Sequence, residues 1–261
     1  MIDDRMYMSL QKELFLESMS FIHRPGWEVL QEEGLLAFKA ATSVPFMNFV
    51  YGNFSQDRYR KVKAFYQEKA FFWMLAEDAE EQDLLRQGFV GPDPTFEMEI
   101  SLLTYRHLAV QGPLEVRKVG SSDEYAWWLN TAALWLALDV AQIDEFFTPW
   151  IETGRFIPFL GLYEERPAAT SLAYLGHLGA SLYCLGTLPE FRRLGLGTAM
   201  TNACLQIAQN SGLHRAVLHG SRMGLPMYEK VGFQLMRTWR EYAYAQYPNF
   251  TELSKAAEKG I

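Results

Sequence analysis

Arg192, Arg193, Gly195 and Gly197 have types and spacing that suit one chemistry, the holding of an anion. They lie in the stretch Thr187-Leu-Pro-Glu-Phe-Arg-Arg-Leu-Gly-Leu-Gly-Thr198. Before it comes an apolar run, Ser181 to Leu188, that reads as a buried strand. After it a helical pattern runs from Thr198 to about Asn210, with Met200, Cys204, Ile207 and Ser211 at helical spacing and Gly212 as a stop. A strand therefore ends in a loop that opens a helix. The first amides of a helix have no intrahelical partner and point outward at the positive end of its dipole. The two glycines let backbone approach a ligand closely, and either arginine can add charge.

Two familiar phosphate loops do not fit. The dinucleotide fingerprint needs a third glycine where Met200 stands, and the nucleotide-triphosphate loop needs Gly-Lys-Ser/Thr. A Gly-rich helix entry with its arginines in solvent is the bland alternative. A second block follows: His219-Gly-Ser221 ends a short strand, and Gly224-Leu-Pro-Met-Tyr-Glu-Lys-Val-Gly-Phe233 comes next.

Together the two blocks resemble the GNAT superfamily, the Gcn5-related N-acetyltransferases. Arg192-Arg-Leu-Gly-Leu-Gly197 matches its Arg/Gln-x-x-Gly-x-Gly/Ala signature, and the stretch from Pro189 matches the wider Pro-x-aromatic-Arg form. Tyr228 to Phe233 resembles the Tyr-x-Lys/Arg-x-Gly-Phe element. The resemblance implies acetyl-CoA as co-substrate, no metal, and direct transfer to an amine through one tetrahedral intermediate. It implies that Arg192, Arg193, Leu194, Gly195, Gly197 and Thr198 hold the pyrophosphate. Backbone groups of Leu185 and Thr187 would pair with pantetheine, one amide facing the thioester oxygen. Ser221 would touch the cofactor where the next strand ends. Tyr228 would protonate the departing thiolate; its bland reading is an aromatic packed under the cofactor.

The remaining chemistry stays open at this level. His177, Tyr183, Asp144 and Glu145 are candidates for a general base, with none preferred. Cys184 lies close to the expected thioester path, where either an acetyl-cysteine or an inert buried thiol is conceivable. Gly186 beside that path would leave room for an acyl chain longer than acetyl. Trp127, Trp128, Trp135, Phe146, Phe147 and Trp150 could wall an acceptor pocket, but at helical spacing most should pack inward.

Elements must position these groups. The C-terminal part reads β-αα-β-β-β-α-β-α-β: a strand at Leu114–Val119, a helix capped by Ser122, a helix near Gln142–Trp150 and a hairpin of Ile157–Tyr163 with Ala168–Leu175. The strand before the loop, a strand at Ala216–His219 and one or two strands over Phe233–Tyr244 complete it. This is the order of a GNAT domain, an α/β fold with a mixed central sheet flanked by helices. The N-terminal part reads as a helix over 4–19, a short helix at Trp27–Glu33, a strand at Pro45–Tyr51, and a helix from Ser55 to about Lys69. A strand at Ala70–Leu75, a helix at Ala79–Gln87 and a strand at Phe96–Leu103 follow. Leu84-Leu-Arg-Gln-Gly-Phe89 echoes the block ending at Phe233, so this part resembles a degenerate half-GNAT, as in tandem members, without a CoA site; an unrelated α/β appendage is the alternative. The expected domains are 1–112, 113–250 and a tail at 251–261 forming a short surface helix.

Bulk properties narrow the class. The chain has 261 residues, 49% hydrophobic and 21% charged, which suits a globular protein of one large or two small domains. A net charge of -7 argues against nucleic-acid binding through a basic face. No apolar run approaches the roughly 18 residues of a membrane span, and Met1-Ile-Asp-Asp-Arg lacks a basic leader region. Two cysteines suggest neither a disulfide framework nor a zinc site. The expectation is a cytoplasmic N-acetyltransferase, monomer or homodimer, acting on a primary amine of a small or amino-acid-like molecule. A protein or peptide N-acetyltransferase and a non-catalytic CoA-binding regulator are the alternatives.

Overall fold

A computed structural model describes residues 9–22, 25–41, 47–67 and 69–244. Among the described residues eleven strands form one mixed sheet in the order β1-β2-β3-β4-β11-β5-β10-β9-β8-β7-β6. In the first half these are β1 (Glu28–Glu32), β2 (Leu35–Lys39), β3 (Phe49–Gly52), β4 (Phe72–Ala76) and β5 (Phe89–Ser101), with helices α1 (Leu10–Met19), α2 (Gln56–Tyr66) and α3 (Gln82–Arg86). In the second they are β6 (Leu114–Lys118), β7 (Phe156–Tyr163), β8 (Arg166–Leu175), β9 (Ala180–Thr187), β10 (Arg215–Gly220) and β11 (Gln234–Tyr244). Helices α4 (Ser122–Leu136), α5 (Val140–Ile151), α6 (Leu196–Asn210) and α7 (Leu225–Val231) belong to that half.

The two halves repeat one topology. In the first, β2 runs antiparallel to β3, and β3 parallel to β4 across α2. In the second, β8 runs antiparallel to β9, and β9 parallel to β10 across α6. Each half then continues through a short helix and a glycine at positive φ, Gly88 (φ +86°) or Gly232 (φ +112°), into its last strand. Those last strands are exchanged: β5 lies between β10 and β11, and β11 lies between β4 and β5. The N-terminal region is therefore part of a GNAT-like tandem arrangement within a single sheet. The chain passes residue 112 between β5, at the centre of the sheet, and β6, at its edge.

Several expectations need correction. The helix expected at Trp27–Glu33 is β1, which pairs with an unanticipated β2; Gly34, at φ +67°, makes their turn. Helix formers fill the segment, but pairing overrides propensity. The strand expected from Phe96 begins at Phe89 and contains Pro92 and Pro94. Beyond the Phe96–Gly220 pair β10 has ended, so β5 has β11 alone beside it, where proline is tolerated. The first helix starts at Leu10 with Ser9 as its cap, and α2 ends at Tyr66 under the expected Ser55 cap. Ser121, not Ser122, caps α4 through a capping box with Glu124. Helix α6 starts at Leu196, and Gln234–Tyr244 is one strand. Residues 4–8, 45–46 and the tail at 251–261 lie outside the described residues.

Cores lie on both faces of the sheet. Alternation sends Ala216 and Leu218 of β10 toward α6, with Met98, Met200 and Cys204, and sends Val217 to the face shared by α1, α4 and α5. That second face is dense in aromatics: Trp27 stacks on Phe146 at 5.4 Å, and Phe15 meets Phe38 at 5.0 Å. Phe146, Phe147, Trp150 and Trp128 are core residues joining the two halves, not pocket walls.

Candidate active site

Strands β9 and β10 share a ladder only at Ala180–Leu182 with Ala216–Leu218, yet β9 runs on to Thr187 and β10 to Gly220. The cause lies in β9. Its register against β8 shifts between the Leu172–Tyr183 and Thr170–Gly186 pairs, and Cys184 takes φ +48°. One extra residue bends the strand away from β10. From Tyr183 to Thr187 the β10-facing edge has no ladder partner, so its amides and carbonyls are available to an extended ligand. Leu185 and Thr187 lie on this half-buried stretch.

At the end of β9 a 3-10 turn, Pro189–Phe191, leads to the loop. Arg192 donates from Nε to the Thr187 carbonyl at 3.2 Å, bracing the loop against the strand. Arg193, at φ +62°, and Leu194 are exposed. Gly195, at φ +90°, is the N-cap of α6 and supplies no side-chain cap. The amides of the first α6 turn, with Gly197 and Thr198, are thus left for a ligand. A Cβ on Gly195 would lie 2.3 Å from Val110 Cγ1, so this glycine admits the chain between β5 and β6. A Cβ on Gly197 would meet only Met227, at 3.6 Å, leaving room for a ligand's approach.

Helix α7 closes the other side. Ser221 is exposed past the end of β10, and its Oγ accepts from the Gly224 amide at 3.3 Å, starting the helix. Tyr228 is buried, its ring so close to Gly220 that a Cβ there would lie 3.1 Å from it. The Thr201 hydroxyl lies 3.7 Å from Met227 Sδ, tying α7 to the first turns of α6. Leu185 and Thr187 thus lie along the opening between β9 and β10, Arg192, Gly195, Gly197 and Thr198 on the loop and first turn of α6, and Ser221 past the end of β10; Tyr228 is in the core beside Gly220, and Arg193 and Leu194 are exposed. Burial raises the Tyr228 phenol well above its ordinary value, with a smaller contribution from Cys204. Burial likewise pushes the Cys184 thiol up to about 12, against a lowering by Thr170.

Residues 105–233 match the acetyltransferase (GNAT) family. This chain carries a GNAT acetyltransferase domain. An uncharacterized N-acetyltransferase of Bacillus subtilis is 30% identical over 103 residues, 39% of this chain and 35% of that protein, so the match spans about a third of the relative's length. A GCN5-related N-acetyltransferase from Kribbella flavida has a fold similar to this chain, with TM-score 0.67 and 16% identity over 96% of this chain and 98% of that one. A tandem GNAT protein from the clavulanic acid biosynthesis pathway aligns with TM-score 0.57 and 13% identity over 88% and 86% of the two chains. Strand β5 lies outside the matched residues, yet it lies beside β10 at the centre of the GNAT sheet.

Helix α1 lays polar groups over one face of the opening. The hydroxyl of Tyr183 accepts from Gln11 at 3.5 Å, and Ser181 donates to Gln11 at 3.0 Å. The Lys12 ammonium sits 4.6 Å from the Tyr51 ring centre and 4.2 Å from that of Trp239. Burial lowers Lys12 to about 7, against the pull of Glu97 and with a further lowering from Arg237. Burial works to raise Glu97, but the pull of His219 and hydrogen bonds from Ser9 and Trp239 outweigh it and hold it near about 2.

Of the expected base candidates, only Tyr183 lies by the opening. His177 sits in the turn at the far end of β9, paired with Glu17 at 2.5 Å, and Asp144 and Glu145 are exposed on α5. His219, Glu97, Tyr51 and Lys12 were not anticipated. Period-two alternation puts His219 on the face of Val217, but the pairing that brings Glu97 to it spans 122 positions in the chain, beyond any local pattern. Trp135 corrects the reading of Gly186. A Cβ on Gly186 would lie 2.2 Å from the indole, which fills the space expected for a longer acyl chain. The indole is anchored through Nε1 to Thr170 at 2.8 Å, and Thr170 donates to the Cys184 carbonyl at 3.0 Å.

Among the described residues no group of three or more His, Cys, Asp or Glu is arranged to hold a metal ion, and no helix is long and apolar enough to cross a membrane.

Proposed function

We propose that the chain is an acetyl-CoA-dependent N-acetyltransferase that moves acetyl directly to a primary amine of a small or amino-acid-like molecule. The observation that carries this reading is the coincidence of a bulge-splayed β9 edge with an uncapped α6 N-terminus. The residues present fit acetyl-CoA. Amides of the first α6 turn, with Arg192 and Arg193, suit its pyrophosphate. The unladdered edge at Leu185 and Thr187 suits its pantetheine amides, and one strand amide can stabilise the oxyanion. Tyr228 returns a proton to the leaving thiolate. A raised phenol is a weak acid, but the same burial makes a thiolate a strong base, as Cys184 at about 12 illustrates.

Burial of Cys184, which pushes its thiol up and leaves little thiolate to accept an acetyl group, favours direct transfer. The covering of the acceptor side by α1 favours a small acceptor over a peptide, which needs an open groove. Thiol release from acetyl-CoA, followed with small primary amines and with N-terminal peptides, tests the proposal. Turnover confined to small amines supports it. Turnover confined to peptides selects the peptide alternative, and binding without turnover on any amine selects a CoA-binding regulator.

A further inference from the structure

The geometry points to His219 as the base that takes the proton from the acceptor ammonium, with Glu97, from the other half of the chain, as its positioning residue. This rests on the function proposed above. His219 is the first residue of β10 beyond its ladder with β9, so its ring stands where the opening begins. It shares the face covered by α1, and its side chain is 22% exposed. In the β5–β10 register Glu97 lies directly opposite, its carboxylate 3.9 Å from Nε2. Nε2 is buried with no hydrogen-bond partner. With Nε2–H turned to the carboxylate, Nδ1 is the accepting nitrogen. Its contact with the Tyr51 hydroxyl is long, 3.4 Å, and yields to a stronger donor such as an ammonium.

Tyr51 from β3 and Glu97 from β5 face the ring; Tyr183 from β9 and Glu241 from β11 act on Tyr51, and Arg237 from β11 acts on Lys12 of α1, which lies over the Tyr51 ring. Glu97 is the one opposite His219 in register, and its Oε2, the oxygen 3.9 Å from His219 Nε2, accepts from Trp239 Nε1 at 2.8 Å. The step balances. An R–NH3+ proton goes to Nδ1, and the freed lone pair forms the N–C bond at the thioester carbon. Collapse breaks C–S, the thiolate takes the Tyr228 proton, and the adduct's second N–H proton restores Tyr228.

The test uses the full chain and three variants, H219Q, E97Q and Y51F, each first shown to be folded by circular dichroism. Acetyl-CoA binding is measured by calorimetry, and the histidine ring signals are followed by NMR against pH with and without acetyl-CoA. Turnover of tryptamine, putrescine, glucosamine and lysine is measured against pH. The expected result is unchanged acetyl-CoA affinity in H219Q and a His219 signal that moves on acetyl-CoA addition. Turnover of H219Q falls by about 10²-fold with loss of the acid limb, and E97Q, which leaves the ring without its carboxylate, lowers kcat with KM little changed. Y51F, which keeps the ring and loses the hydroxyl, retains the limb. A His219 signal indifferent to bound acetyl-CoA, or H219Q with the wild-type pH profile, overturns the inference. Failure of the wild type to bind acetyl-CoA at all overturns the function proposed above instead.

Discussion

The crossover from β3 through α2 to β4 and the crossover from β9 through α6 to β10 share a topology and differ in what they leave open. In the first, Ser55 accepts the Arg58 amide at 3.2 Å, and Arg58 binds the Asn53 and Glu33 carbonyls at 3.2 and 2.9 Å. Strand β3 ends at Gly52, whose carbonyl accepts from Trp73 Nε1 at 2.7 Å, and Phe54 packs on that indole at 5.2 Å. The start of the helix and the end of the strand are both occupied by the chain's own groups. In the second, the helix has no side-chain cap and β9 continues past its ladder behind a bulge. Leu84, four residues before Gly88, stands where Tyr228 stands four residues before Gly232. On a common scaffold, an extra residue in one strand and an uncapped helix end leave backbone groups without partners in the sheet or helix.

Substitutions can break this comparison at several levels. The largest effect on the welded sheet is expected at Glu97, which joins the halves. Its carboxyl is depressed from 4.5 to about 2, so its stabilisation is fully present above pH 4.5 and is lost as pH falls toward 2. Glu97→Gln should cost about 3 kcal/mol near neutral pH, and urea midpoints from pH 7 to pH 2 should show the difference from wild type vanishing at the acid end. Tyr228→Phe should lower turnover about 10²-fold with acetyl-CoA affinity retained, whereas Leu84→Met in the first half should leave turnover unchanged; initial rates decide both.

Smaller effects separate stability from binding. A Cβ on Gly52 would lie 2.4 Å from the Gly34 carbonyl, and one on Gly195 would lie 2.3 Å from Val110. Each Gly→Ala change should cost about 1–3 kcal/mol, but only Gly195→Ala should also weaken CoA binding, seen by melting with and without CoA. Ser55→Ala removes a cap for about 1 kcal/mol and should leave CoA affinity untouched, as calorimetry can confirm.

The site was legible in the sequence where its signal is local. The loop and the α7 block are contiguous, and Gly195 and Gly232 announce positions at positive φ. The echo between Leu84–Phe89 and the block ending at Phe233 was compatible with a degenerate repeat and with an unrelated appendage. The rest depends on partners far away in the chain. Glu28–Glu32 carries helix formers and becomes a strand because β2 pairs with it. Residues 89–95, with two prolines, become a strand because β11 runs beside them. The residue that takes positive φ in the β9 bulge is Cys184, not the Gly186 that bounds it. His219 and Glu97 were visible as strand residues, but only the exchange of β5 and β11 brings them face to face.

The central claim is that one half holds acetyl-CoA and the other does not. Calorimetric titration of acetyl-CoA into the wild type, Gly197→Glu and Gln56→Glu addresses it directly, since each change sets a carboxylate at the start of one crossover helix. The account predicts one molecule bound per chain, affinity reduced by roughly 100-fold or more in Gly197→Glu, and none lost in Gln56→Glu. Two bound molecules, or binding that survives at Gly197→Glu and fails at Gln56→Glu, would contradict it.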